Sequence, residues 1–169
     1  RGGALAEALP DWSDAALLAT LDDWLTPWLA GLTRLEQVAE IDLAAALRAT
    51  LAPGLAERIE RAAPAAFVTP LGDRRAIDYA QETPQLSIRV QELYGTAEHP
   101  VAGDPPVPLV LELLSPAGRP IQRTQDLPGF WAGAWREVAK EMRAQYPRHP
   151  WPDDPAAAAP TRRAKPRGR

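Results

Sequence analysis

The apolar positions keep one period up to about residue 63 and another beyond it. Leu17, Leu21, Trp24 and Trp28 recur at i, i+4, i+7 and i+11, the spacing of one helix face. Ser13 is a suitable N-cap, with Asp14 in the first turn opposite the helix dipole. Pro27 interrupts, so a break is expected: Thr26 caps a second short helix with Pro27 at its first position, and Gly31 ends it. Thr33 is suited to cap a short helix through Val38. Asp42 is suited to cap another, with Leu43, Leu47 and Leu51 on one face. A last piece, 55–63, stops before Pro64. Short helices with apolar stripes and tight turns predict a small bundle.

After Pro64 the period falls to two. Residues 67–71 form the first strand candidate. Ile77 and Tyr79 alternate with Ala76 and Asp78; Leu86, Ile88 and Val90 alternate with Ser87 and Arg89. Residues 91–94, closed by Gly95, predict one helical turn, and a proline-rich loop runs over about 96–107. Leu109, Leu111 and Leu113 alternate again, Ser115 to Gly118 carry turn chemistry, and 121–126 is a fifth strand candidate. Five short strands with a helical turn after the third predict an OB-like barrel. Trp131, Trp135, Val138 and Met142 then mark a helix face, with Arg136, Lys140 and Arg143 on another, until Pro147. The fold class expected is α+β, in four parts: a helical bundle over 1–64, a five-stranded OB-like barrel over 65–126, a C-terminal helix with a Pro/Trp extension over 127–155, and a basic disordered tail over 156–169.

Composition removes several chemistries. None of the 169 residues is cysteine, so disulfides, Cys-bound zinc and Fe–S clusters are excluded. The two histidines, His99 and His149, are fifty residues apart, and no metal site is expected. No Gly-x-x-x-x-Gly-Lys-Ser/Thr motif is present to cradle a nucleotide. No apolar run reaches the ~20 residues of a membrane span. The serines are Ser13, Ser87 and Ser115, none in a nucleophile-elbow context, so no catalytic residue is assigned. The acid pairs Asp22/Asp23, Glu137/Glu141 and Asp153/Asp154 read as solvated or capping groups rather than an acid–base pair. The chain opens on Arg1 and reads as a piece of a longer one.

Charge is uneven. The net value is −3, yet Arg162, Arg163, Lys165, Arg167 and Arg169 put +5 on the last fourteen residues, leaving −8 on the remainder. The loops that flank the ligand groove of an OB-fold would here bring Arg74, Arg75, Arg119 and Arg123 to one rim, with Arg89 on the third strand. Such arginines can clamp phosphates bidentately; the same residues also fit a scattered, solvated surface. With little aromatic interleaving, backbone contact fits better than base readout. Arg162, Arg163 and Lys165 in the tail either add electrostatic affinity or solubilise the end. Trp24/Trp28 and Trp131/Trp135 are helix-face pairs expected to pack in the core rather than stack bases, and Trp151 to clamp the extended segment.

Three stretches, Leu21-Asp-Asp-Trp-Leu-Thr-Pro-Trp-Leu-Ala-Gly31, Leu113-Leu-Ser-Pro-Ala-Gly-Arg-Pro120 with Thr124-Gln-Asp-Leu-Pro-Gly-Phe-Trp131, and Tyr146-Pro-Arg-His-Pro-Trp-Pro-Asp-Asp-Pro155, together with Pro160-Thr-Arg-Arg-Ala-Lys-Pro166, carry a resemblance. They are similar to the C-terminal region of HrpB-type bacterial ATP-dependent helicases, relatives of the DEAH/RHA RNA helicases. The resemblance implies a longer parent with two RecA-like motor domains, a winged helix, a bundle, an OB-like barrel and a C-terminal extension. It implies that ATP and Mg²⁺ belong to the motor, outside this sequence, so the parent is the hydrolase and this chain alone is not an enzyme. The implied partners are the motor domains of the same chain and single-stranded nucleic acid, RNA before DNA, in the cytoplasm and away from membranes. The acidic body also fits a second reading, a motor-docking scaffold that does not touch nucleic acid. Leucine and tryptophan faces left open in the helical part would make it prone to aggregate.

Overall fold

The computed structural model describes residues 4–164, and the chain divides between Ala62 and Ala63 into two compact units. Among its described residues the first has helices and no strands: α1 (Ala4–Ala8), α2 (Asp14–Ala19), α3 (Leu21–Trp24), α4 (Thr26–Leu29), α5 (Leu35–Val38), α6 (Leu43–Ala49) and α7 (Leu55–Ala62). Local chemistry sets the breaks. Ser13 Oγ accepts from the Ala16 N–H at 3.3 Å, and Asp42 Oδ1 from the Ala45 N–H at 3.0 Å. The α4 cap is Leu25 rather than Thr26, whose hydroxyl turns to Asp22 Oδ1 at 3.4 Å. Thr33 does not cap α5 either; Gln37 Oε1 accepts from the N–H groups of Thr33 and Arg34 at 3.1 and 3.0 Å. Gly31, at φ +82°, turns the chain after α4 where a Cβ would be strained.

These helices are short and bury little. Leu5, Ala46 and Leu55 are buried, whereas Leu18, Leu35 and Leu43 are 71%, 84% and 50% exposed. Trp24 is half-buried and donates its indole N–H to the Leu17 carbonyl at 3.0 Å, while Trp28 is exposed.

The second unit mixes strands and helices. Its strands are β1 (Ala66–Val68), β2 (Arg74–Ala76), β3 (Gln85–Arg89), β4 (Val101–Ala102), β5 (Val107–Pro108), β6 (Val110–Leu114) and β7 (Pro120–Thr124). The pairing is β1–β2 antiparallel, β4–β5 antiparallel, and a three-stranded sheet β3–β6–β7 in which β3 and β6 run parallel. A single bridge, Asp78 with Gln85, joins the segment after β2 to β3. The expected closed barrel does not form among the described residues: the strands make three small sheets, and β7 does not return to β1.

The reason lies in what fills the sheet's buried face. Leu86 and Ile88 of β3 and Leu111 and Leu113 of β6 share one core with Phe130, Trp131, Trp135 and Met142 from α8 (Leu127–Ala132) and α9 (Trp135–Gln145). A helical layer covers the open sheet, so closure is not needed to bury it. The Asp126 carboxylate caps α8 through the Gly129 N–H at 2.9 Å. The proline-rich loop carries β4 and β5, and His99 anchors it: Nδ1 accepts from the Leu127 N–H at 3.0 Å, which leaves Nε2 to donate to the Leu109 carbonyl at 2.8 Å.

An aromatic cluster locks the segment around Trp151 onto this core. Trp135 meets Tyr94 and Trp131 edge-on, with ring centroids 5.7 and 5.3 Å apart, and lies 6.1 Å from Trp151. Each buried indole gives its N–H to a carbonyl: Trp131 to Thr96, Trp135 to Pro152 and Trp151 to Tyr146, at 3.0, 2.8 and 3.0 Å. Burial pushes the Tyr94 phenol well above its ordinary range, and its hydroxyl donates to the Pro150 carbonyl at 3.1 Å.

The segment expected to be a disordered tail is placed against this unit as far as Arg162. Gly95 N–H donates to the Pro155 carbonyl and Thr161 N–H to the Gln91 carbonyl, both at 3.0 Å, and Ala156 and Ala158 pack on the core. Lys165, Arg167 and Arg169 lie outside the described residues.

Candidate nucleic-acid interface

The strand alternation of β2 sends its two arginines different ways. Arg74 is exposed. Arg75 turns to Glu92, its Nε and Nη2 lying 2.8 and 2.6 Å from the same carboxylate oxygen. Glu92 sits in the helical turn Val90–Glu92 and is 1% exposed, so its charge requires a partner. Asp73, in the turn before β2, is 3.9 Å from Arg75 Nη2 and 3.1 Å from Arg162 Nη1. Arg75 and Arg162 are thus brought together, but around two carboxylates of their own chain. Neither presents an uncommitted guanidinium to a phosphate.

Arg89 and Arg123 are exposed on the three-stranded sheet. Arg123 stands in register with Glu112 of β6, which in turn accepts from the Ser87 hydroxyl at 2.6 Å on β3. A row of Ser87, Glu112 and Arg123 therefore crosses the sheet. Arg89, two residues beyond Ser87, acts electrostatically on His149. The His149 imidazole is held below its ordinary value, first by burial and then by the charges of Arg148 and Arg89. Arg119 is exposed at the end of a tight turn: Ser115 N–H donates to the Arg119 carbonyl at 2.8 Å, and Arg119 N–H to Ser115 Oγ at 3.1 Å. It borders a cleft of about 270 Å³ floored by Ile121, Val138 and Met142 of β7 and α9. Arg163 is exposed, its N–H bonded to Thr161 Oγ1 at 3.1 Å. Lys165 falls outside the described residues.

The expected single rim is therefore split. Arg74, Arg89, Arg119 and Arg123 face solvent on separate turns and strands; Arg75 and Arg162 serve internal ion pairs. Sequence reasoning missed Asp73, Glu92, Arg148 and His149. Glu92 carried a signal, an acid among Val90, Leu93 and Tyr94, all buried, but its partner is seventeen residues away. Among the described residues no cluster of three or more His, Asp or Glu side chains is placed to hold a metal ion. No helix among them is long and apolar enough to cross a membrane.

The family described as ATP-dependent helicase C-terminal (HrpB_C) matches residues 24–155. The chain is 48% identical over 159 residues to the ATP-dependent RNA helicase HrpB of Escherichia coli strain K12, covering 92% of this chain and 20% of that protein. A crystal structure of the E. coli DExH-box NTPase HrpB superposes with a TM-score of 0.83 at 48% identity, over 92% of this chain and 19% of that one. A crystal structure of the Escherichia coli DEAH/RHA helicase HrpB does so at 0.67 and 42% identity, over 86% and 19%. The chain thus spans about a fifth of the length of these relatives.

Proposed function

The chain belongs to the ATP-dependent helicase C-terminal family, and from that premise we propose that it is an accessory region of a helicase that contacts the sugar-phosphate backbone of single-stranded nucleic acid, RNA in preference to DNA. ATP and Mg²⁺ are handled by motor domains outside this sequence, in the cytoplasm. The observation that carries the reading is the outward exposure of Arg74, Arg89, Arg119 and Arg123. Each is a planar, permanently charged fork suited to phosphate oxygens. Trp131, Trp135 and Trp151 are buried, so none of these three stacks bases. The contact is thus sequence-independent and positions the strand.

The test is fluorescence anisotropy of labelled single-stranded RNA and DNA over a salt series. Four phosphate contacts give a log–log slope of about −3, at roughly −0.7 per contact on a single strand. Reversing all four arginines to Glu should abolish binding while the circular dichroism spectrum is unchanged; unaltered affinity would sink the reading.

The helical unit favours a second role beside the first. Leu18, Leu35 and Leu43 stand well out of any core of that unit, which suits docking against other parts of the parent chain. Co-expression of the motor as a separate chain should give a complex that survives high salt, weakened by Leu18, Leu35 and Leu43→Ser. A complex dissolved by salt alone would point away from an apolar contact.

A further inference from the structure

Residues 155–163 cross the helical turn Val90–Glu92 and are held there by few contacts. The Pro155 carbonyl accepts from Gly95 at one end; Thr161 N–H donates to Gln91, and Arg162 pairs with Asp73 at 3.1 Å, at the other. Between them stand Ala156, Ala157, Ala158, Ala159 and Pro160, of which Ala156 and Ala158 touch the core with one methyl each and no large side chain anchors the run. The Arg162–Asp73 pair is half-exposed on its arginine side and so contributes little, and a stretch of alanines loses little apolar burial on opening.

We propose that residues 155–163 form an autoinhibitory strap, in which Asp73 sequesters Arg162 until a phosphodiester backbone competes for the guanidinium and frees the segment. Arg75 stays behind, because Glu92 holds it more closely than Asp73 does. Opening therefore releases Arg162 to bind phosphate beside Arg163, which is already exposed. The inference rests on the backbone-contact reading above. Closure lowers apparent affinity by the fraction of molecules that are open.

Two variants separate opening from charge. Asp73→Asn removes the acid; Thr161→Pro removes the N–H that bonds Gln91 and changes no charge. Strap opening is read by trypsin cleavage after Arg162 or Arg163 and by hydrogen exchange of the Gly95 N–H. Affinity is read with a fluorescein-labelled oligouridine across a salt series. Both variants should be cut faster and bind about two- to five-fold tighter, as release of a weak, half-exposed latch implies, with a salt slope steeper by about 0.7. In the unsubstituted chain the oligouridine should speed exchange at Gly95.

Variants that open the strap yet bind as the parent chain does would overturn the proposal and leave the backbone reading standing. Tighter binding by Asp73→Asn alone would reduce the effect to added charge and overturn it too. Unchanged cleavage and exchange in both variants would show that these contacts do not hold the segment. No binding at low salt by any form, with the strap shown to be open, would end both readings.

Discussion

Arg75 lays two guanidinium nitrogens, at 2.8 and 2.6 Å, against one oxygen of Glu92, and so neutralises a carboxylate that water scarcely reaches. Replacing Arg75 with Ala leaves that charge buried without its guanidinium. The expected loss is about 2–4 kcal/mol, discounted from the buried-pair range because Arg75 is itself a third exposed. Glu92→Gln, which removes the charge and keeps the shape, should cost clearly less. Urea unfolding of both variants decides; equal losses would mean that packing rather than charge holds the turn.

Trp135 should be the most sensitive aromatic position. It is 1% exposed, touches Tyr94, Phe130, Trp131 and Trp151, and donates to Pro152. Trp135→Ala should cost about 3–5 kcal/mol. Trp135→Phe keeps most of the apolar volume and loses the hydrogen bond, an expected change of about 1–2 kcal/mol. Denaturant midpoints measured at constant m-value give both numbers, and a Phe variant as unstable as the Ala variant would contradict this division.

Gly95 and Gly118 both have positive φ, +81° and +78°. At Gly118 an added Cβ meets nothing within 4 Å; at Gly95 it would lie 3.2 Å from the Ala158 carbonyl oxygen. Alanine at Gly118 should therefore show only the backbone strain, about 1 kcal/mol. Alanine at Gly95 should show that strain and also loosen the segment above it. Faster exchange at Thr161 in Gly95→Ala, but not in Gly118→Ala, is the expected signature.

His149 gives the fold a pH dependence. Burial, then Arg148 and Arg89, hold its imidazole below the ordinary 6.5. The unfolded chain therefore binds the proton first as pH falls. Stability from this group is intact above about pH 6.5 and is lost as pH drops through the lowered folded value. Thermal unfolding from about pH 8 to pH 5 should show a shallower acid-side decline in His149→Gln than in the parent. Parallel curves would remove His149 from the account.

Local rules reached far in this chain and stopped where long-range partners decide. Ser13 and Asp42 cap the helices that their side chains suggest, because capping needs only the next turn. The alternation of Leu86 and Ile88, and of Leu111 and Leu113, marks the buried face of the sheet. What covers that face is set by residues far along the chain, so strand count alone suggested a barrel where Trp131 and Trp135 supply a helical layer. The same limit applies to the arginines. Arg75 and Arg74 are adjacent and alike in sequence, yet Glu92 claims one and leaves the other outside. Arg162 read as part of a free tail because Asp73, its partner, lies 89 residues earlier in the chain.

The parallel pairing of β3 with β6 orders events in time. Ser87 and Glu112, side by side in the sheet, are 25 residues apart in the chain, and no hairpin can join parallel neighbours. β6 and β7 need only the 115–119 turn to meet. The entropy of closing the longer loop delays β3 until the hairpin and its helices offer it a surface. Trimming Leu113 to Ala should therefore slow refolding, whereas trimming Leu86 should chiefly speed unfolding.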